Sequence, residues 1–267
     1  MKYIFLWDIV SKWWRRVIER LLPKYIEKYQ PDFVIANSEN MSHWKWANPK
    51  HLDEMQKIWI DYFTWWDHSF DTKTAIEEFE SSSWKTSKRQ LRCLNYPKWT
   101  VWKWYFIIED KILLISLMWN AFMKHNLSCP IATLEELFEK LRKERWKEYF
   151  DNLEIFVDFH AETTSEKKAL WYFLDWIATW VVWSHTHIQT NDTQILKNWT
   201  WYITDLWMNW AMESVLWVKT EIIIEMMKTK IPQKFEREEE WKLEFNWVFM
   251  ESKNWKCEKI ELIREII

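Results

Sequence analysis

Short apolar runs alternate with amphipathic stretches through the first two-thirds of the chain. Tyr3–Leu6 predicts a strand, and Arg15–Tyr29 places Val17, Leu21, Tyr25 and Tyr29 at helical spacing. Pro23 lies inside that stretch and predicts a bend or a break. Asp32–Ala36 reads as the next strand, Pro49–Ile58 as a helix, Tyr62–Thr64 as a short strand and Lys73–Glu80 as a helix. A polar loop is expected from Ser81 through Lys88. Strands then crowd together at Leu91–Tyr96, Trp104–Glu109 and Lys111–Met118, before a charged amphipathic helix over Thr133–Tyr149. Leu153–Phe159, Trp180–Trp183 and Trp201–Thr204 follow as strands, with a helix near Ser165–Leu174. The tail, Lys242–Met250 and Cys257–Ile263, predicts a hairpin closed through Asn254-Trp255. No repeat or linker interrupts this order, so one domain over residues 1–267 is expected. The strand-rich middle and tail favour a mixed α/β domain with two sheets over a simple doubly wound sheet.

Composition changes the picture at one point. The 267 residues include no glycine and 26 tryptophans, where average usage would give roughly 19 glycines. Asn-Trp stands at 198–199, 209–210, 246–247 and 254–255, where Asn-Gly would be a strong turn signal. Trp13-Trp14 and Trp65-Trp66 also occupy places where a turn is expected. Most or all tryptophans therefore read as replacements of glycine, by substitution or misreading.

Charge and cysteine usage narrow the class. With 37 basic and 40 acidic residues the net charge is −3, so the chain carries no strong nucleic-acid-binding signal. The longest strongly apolar run, Ile112 to Met118, is too short to span a bilayer. The first residues lack a signal-peptide pattern. Cys93, Cys129 and Cys257 form no CxxC pair, which favours a reducing compartment. A cytoplasmic protein with no membrane association is expected.

The candidate chemistry lies where predicted strands end, the place where α/β folds collect ligands. Asp8 follows the first strand, Glu39-Asn40 the second and Asp67-His68 the third; His160 follows Leu153–Phe159, and His185 and His187 follow Trp180–Trp183. Taken singly, an Asp after a strand is usually a turn or cap residue, a lone His is usually hydrogen-bonded structure, and His-x-His is a weak metal signal. Five coincident strand ends offering carboxylates, an amide and imidazoles suit divalent transition metals. His43, His51 and His125 gain no such support and read as solvated or structural.

These segments carry a resemblance. Phe5-Leu6-Trp7-Asp8-Ile9-Val10, Asp32 to Asn40, Trp66-Asp67-His68, Asn95-Tyr96-Pro97, Val157 to Lys167, Ser184 to Thr190 and Tyr202 to Met208 are similar to the YmdB-like branch of the calcineurin-like metallophosphoesterases, described as 2′,3′-cyclic-nucleotide 2′-phosphodiesterases. That family has Gly where this chain has Trp7, Trp66, Trp183 and Trp207. The resemblance implies an α/β four-layer sandwich, two mixed β-sheets flanked by helices. It also implies two divalent transition-metal ions, iron or manganese. One would take Asp8, Glu39 and His187 with Asn40 nearby; the other would share Glu39 and take Asp67, His160 and His185. His68 would be the proton donor. A metal-bridging hydroxide would then attack phosphorus in line with the leaving oxygen. The implied partner is a small-molecule cyclic nucleotide or another phosphodiester, with homo-oligomer formation left open.

One departure is plain: the family usually has Asn where this chain has Asp67. The added charge favours a second reading, a metal-binding regulatory or scaffold protein with little turnover, whereas the intact His68 favours the enzyme. A third reading takes the tryptophans literally as a chain whose fold cannot form.

Overall fold

A computed structural model describes residues 1–42, 47–71, 76–77, 89–145, 147–206, 210–238 and 242–267. The first sheet runs in the order β11-β14-β1-β2-β3-β4, with β15 also paired to β14. Its strands are β1 Lys2–Leu6, β2 Phe33–Asn37, β3 Tyr62–Thr64, β4 Gln90–Leu91, β11 Trp210–Ala211, β14 Leu243–Lys253 and β15 Lys256–Ile266. The second sheet runs β5-β6-β7-β8-β10-β9, built from β5 Tyr105–Ile108, β6 Ile112–Met118, β7 Glu154–His160, β8 Trp180–Ser184, β9 Gln194–Ile195 and β10 Trp201–Tyr202. A separate pair, β12 Ser214–Val215 and β13 Val218–Lys219, leads into the last helix.

Three cores stack between four layers. The period of two along β1 sends Ile4 and Leu6 to one face and Tyr3 and Phe5 to the other. Ile4 and Leu6 meet the apolar stripe of α1 (Ser11–Tyr29) at Trp14, Val17, Ile18, Leu21 and Leu22, joined by Leu52 and Met55 of α2 (Pro49–Lys57). Tyr3 and Phe5 meet Ile112, Leu114, Phe156 and Val182 of the second sheet. The far face of that sheet, through Leu113, Ile115 and Val157, packs on α3 (Pro130–Arg145), α4 (Lys147–Asp151) and α5 (Thr164–Leu174). Because both faces of β1, β6, β7 and β8 are covered, their sequences are mostly apolar rather than alternating, with Ser116 and Asp158 as buried polar interruptions. This is the expected sandwich of two mixed sheets flanked by helices.

Several elements differ from expectation for identifiable reasons. Pro23 lies inside a continuous α1, where buried Leu21, Leu22 and Tyr25 hold the helix on both sides of it. Trp13-Trp14 sits within α1 and Asn246-Trp247 within β14, so neither pair turns the chain. Asn254 and Trp255, at φ 49° and 58°, do turn it between β14 and β15. The strand expected over Leu91–Tyr96 stops at Leu91, because the Arg92 guanidinium gathers the next segment into a loop through the carbonyls of Cys93, Pro97, Thr100 and Val101. The strand expected to reach Thr204 ends at Tyr202, and the Thr204 amide donates instead to Asp192. A last helix, α6 (Thr220–Thr229), carries only Ile223 into the interior and escaped the periodicity reading. The helix expected at Lys73–Glu80 lies almost wholly outside the described residues, as do His43, the polar loop over 81–88 and Asn209.

Candidate metal centre

β1, β2 and β3 run parallel to one another in the first sheet and β7 and β8 in the second, so their carboxyl ends gather at one rim. All eight residues singled out in the sequence line a single cavity there of about 220 Å³, together with Trp66 and Trp217. Asp8 comes from β1, Glu39 and Asn40 from β2, Asp67 and His68 from β3, His160 from β7, and His185 and His187 from the loop after β8.

Backbone shape at this rim is unusual. Asp8, His185 and His187 have φ of 25°, 126° and 60°, values that cost non-glycine residues free energy and cluster at functional sites. Asn40 Nδ2 donates to Asp8 Oδ2 at 2.8 Å. The other oxygen, Asp8 Oδ1, is buried and has no hydrogen-bond partner among the described residues. Burial pushes the Asp8 carboxyl up to about 7, with Asn40 pulling against it. Glu39 accepts the amides of Trp66 and His68. Burial, reinforced by the charge of Asp67, still holds the Glu39 carboxyl well above its usual range. Among the described residues, Glu39, Asp67 and His68 have ligand atoms within 4.8 Å of one another.

Three of the imidazoles, those of His160, His185 and His68, are held from behind. His160 Nδ1 lies 2.8 Å from Ser184 Oγ, leaving Nε2 3.0 Å from His185 Nδ1 and 3.9 Å from Asp67 Oδ1. His185 Nε2 lies 2.7 Å from Glu162 Oε2. His68 Nδ1 lies 2.7 Å from Asp71 Oδ2, and Lys124 holds the other Asp71 oxygen. Burial and the neighbouring histidines push His160 well below its ordinary range and His187 down to about 4, so both are neutral donors near pH 7. Orphaned buried carboxylate oxygen, raised carboxyl groups and neutral imidazoles form a donor set that a divalent cation would balance.

Orienting partners were the part missed in the sequence. Asp71 was findable three residues after His68; Glu162 and Ser184 stand inside quoted motifs but carry no spacing signal of their own. Trp217 reaches the cavity from a distant hairpin, which only the fold reveals. His51 pairs with Ser42 Oγ, as a structural histidine should. His125 Nε2 lies 3.3 Å from the Asp67 carbonyl and is structural at the margin of the site.

The fold and the relatives it matches define a phosphoesterase of the calcineurin-like type, a hydrolase acting on phosphoesters. The chain belongs to the YmdB-like family, whose model matches residues 4–263. A relative from Bacillus subtilis (strain 168), a 2′,3′-cyclic-nucleotide 2′-phosphodiesterase, is 32% identical over 238 residues, covering 88% of this chain and 85% of that protein. The crystal structure of a phosphatase from Mycoplasma pneumoniae superposes with a TM-score of 0.85 at 28% identity, covering 100% of this chain and 93% of the other. That of a hypothetical protein from Thermus thermophilus gives 0.83 at 28% identity, covering 100% and 99%. No helix among the described residues is long and apolar enough to cross a membrane.

Proposed function

We propose that this chain is a cytoplasmic two-metal phosphodiesterase, one domain over residues 1–267, that hydrolyses 2′,3′-cyclic nucleotides to 3′-nucleotides. The observation that carries the reading is the convergence of three carboxylates and four imidazoles on one cavity where Asp8 Oδ1 has no donor among the described residues. In this reading Asp8, Glu39 and His187, with Asn40 beside them, hold one ion. Glu39, Asp67, His160 and His185 hold the other, and the mixed oxygen and imidazole set suits iron or manganese. Two such ions supply Lewis-acid activation of water and a charge clamp on the phosphoryl oxygens.

The chain's own residues do the rest. Asn40 fixes one Asp8 oxygen and leaves the other for the cation. Ser184 and Glu162 engage the outer nitrogens of His160 and His185, which leaves Nε2 of one and Nδ1 of the other for a shared centre. With Nδ1 held by Asp71, His68 keeps Nε2 to deliver a proton to the departing ester oxygen.

The test is hydrolysis of 2′,3′-cyclic AMP by the manganese-loaded chain, with the product separated by chromatography. Formation of 3′-AMP is expected, and accumulation of 2′-AMP would overturn the assigned bond cleavage. Asp67, which adds charge beside Glu39, favours one other reading, a metal-binding regulator. Full metal loading without hydrolysis of any phosphodiester would decide for it.

A further inference from the structure

Behind the His185-Thr186-His187 segment lies an ion pair sealed from solvent. The side chains of Lys167, at the start of α5, and Asp205, beyond β10, are 1% and 0% exposed, and Lys167 Nζ lies 3.6 Å from Asp205 Oδ2. Lys167 Nζ also donates to the Thr204 carbonyl at 3.1 Å. The same Asp205 oxygen accepts twice from Thr186, from its amide and from its hydroxyl, each at 2.8 Å. The Asp205 amide donates to Thr190 Oγ1, and the Thr190 amide donates to the Asp205 carbonyl. One aspartate thus ties both ends of the loop that carries the two histidines.

A buried ion pair gives little net stability, because desolvation offsets its attraction. Its value here lies in what it holds. His185 and His187 flank Thr186 with φ of 126° and 60°, so the Thr186 peptide is turned out of any ladder and needs a fixed acceptor. A neutral acceptor would bind that amide weakly, while a lone carboxylate at this depth would protonate. Lys167 places an ammonium group 3.6 Å from the carboxylate oxygen that receives both Thr186 bonds.

We propose that Lys167 and Asp205 are a positioning pair, which holds the His185-Thr186-His187 backbone in its left-handed turn so that both imidazoles meet the metal centre. The proposal rests on the reading of His185 and His187 as ligands. Loss of the pair lets the turn relax toward ordinary φ, and relaxation swings the imidazoles away from Asp8 and Asp67.

The experiment titrates the full chain with Mn²⁺ alone, reading affinity and stoichiometry by calorimetry and the manganese environment by electron paramagnetic resonance. Asp205→Ala should weaken binding about 10- to 100-fold, the range for residues that orient metal ligands, and broaden the manganese signal. Asp205→Asn, which keeps an acceptor, should recover part of that loss. Lys167→Met should weaken binding, and Lys167→Met/Asp205→Asn should bind more tightly than Lys167→Met alone, since both members of the buried pair are then neutral while Asn keeps an acceptor for Thr186. If Asp205→Ala does not fold, Thr186→Val decides, because it removes only one of the two hydrogen bonds. Wild-type affinity in Asp205→Ala, or in Thr186→Val when it decides, overturns the proposal, provided His187→Ala has weakened binding. Unchanged binding in His187→Ala instead removes the ligand assignment, and the proposal with it.

Discussion

The indole of Trp66 stacks on the imidazole of His160, with ring centroids 4.4 Å apart and 18° between the planes. Trp66 is 1% exposed and also touches Trp7, which precedes Asp8. Two tryptophans thus pack directly behind the candidate metal centre. Elsewhere Trp59, Trp102, Trp176, Trp199, Trp217 and Trp255 have φ between 58° and 83°, where a side chain costs about 1–2 kcal/mol that glycine does not pay. Among the described residues, Nε1 of Trp171, Trp180, Trp183 and Trp247 is buried with no hydrogen-bond partner, each a further penalty of about 1–3 kcal/mol. Against a total stability of about 5–15 kcal/mol, these burdens are large.

Returning glycine at all 26 tryptophan positions should therefore sharpen thermal unfolding and raise metal stoichiometry toward two per chain. Repair of Trp7, Trp65, Trp66 and Trp183 alone should recover less, since the six left-handed tryptophans remain. Calorimetric unfolding with elemental analysis compares the three chains. A sharp transition and full metal loading in the unaltered chain would show that the tryptophans are native.

With Glu39 shared by both ions in the proposed assignment, Glu39→Ala should lose both ions, while His187→Ala should weaken mainly one. Elemental analysis of the two purified variants separates these outcomes. Near-complete retention of metal in both would refute the shared-carboxylate assignment.

Proton donation matters most when the leaving group is poor. His68→Ala should lose about 10²- to 10⁴-fold in kcat on cyclic nucleotides and much less on nitrophenyl esters, with metal content unchanged. Asp71→Ala, which frees the His68 ring, should show the same dependence on leaving group at smaller amplitude. Equal losses on both substrates would point to a ligand role for His68.

Metal uptake should release protons below neutrality. The Asp8 carboxyl is raised to about 7 in the metal-free fold and must ionise to bind a cation, so near pH 6 binding should expel about one proton from it. His187, lowered to about 4, is already neutral there and contributes none. Affinity should rise with pH through about 7 as the Asp8 carboxyl ionises, and the raised Glu39 carboxyl adds to the proton release. As pH falls from 7 to 4, Asp8 takes up its proton in the folded state and stabilises it, whereas His187 takes up its proton in the unfolded state and destabilises the fold. Calorimetry in buffers of different ionisation enthalpy measures the release, and Asp8→Asn should abolish the share due to Asp8.

Much of this protein is legible in local pattern. Mostly apolar runs at β1, β6, β7 and β8 announce strands covered on both faces, and the 3.6-residue stripes of α1 and α3 announce the outer layers, because burial acts on residues a few positions apart. The strand-end residues could be nominated for the same reason, since a polar group just past an apolar run lies at a sheet rim whatever the topology. The Asn254-Trp255 turn was readable from its neighbours, but Asn246-Trp247 was not, because a dipeptide cannot reveal that strands on either side will hold it extended.

Tertiary structure decided the rest. That five rims from two sheets form one cavity follows from strand order, a consequence of contacts between segments far apart in the chain. Asp71 at His68, Glu162 at His185 and Lys167 with Asp205 beneath Thr186 act through distances and burial that no spacing encodes. The carboxyl and imidazole shifts arise from desolvation, which exists only once the layers close. Residue types therefore determined which chemistry is available, and packing determined where it is assembled, because a local sequence sets periodicity while long-range contacts set proximity and dielectric.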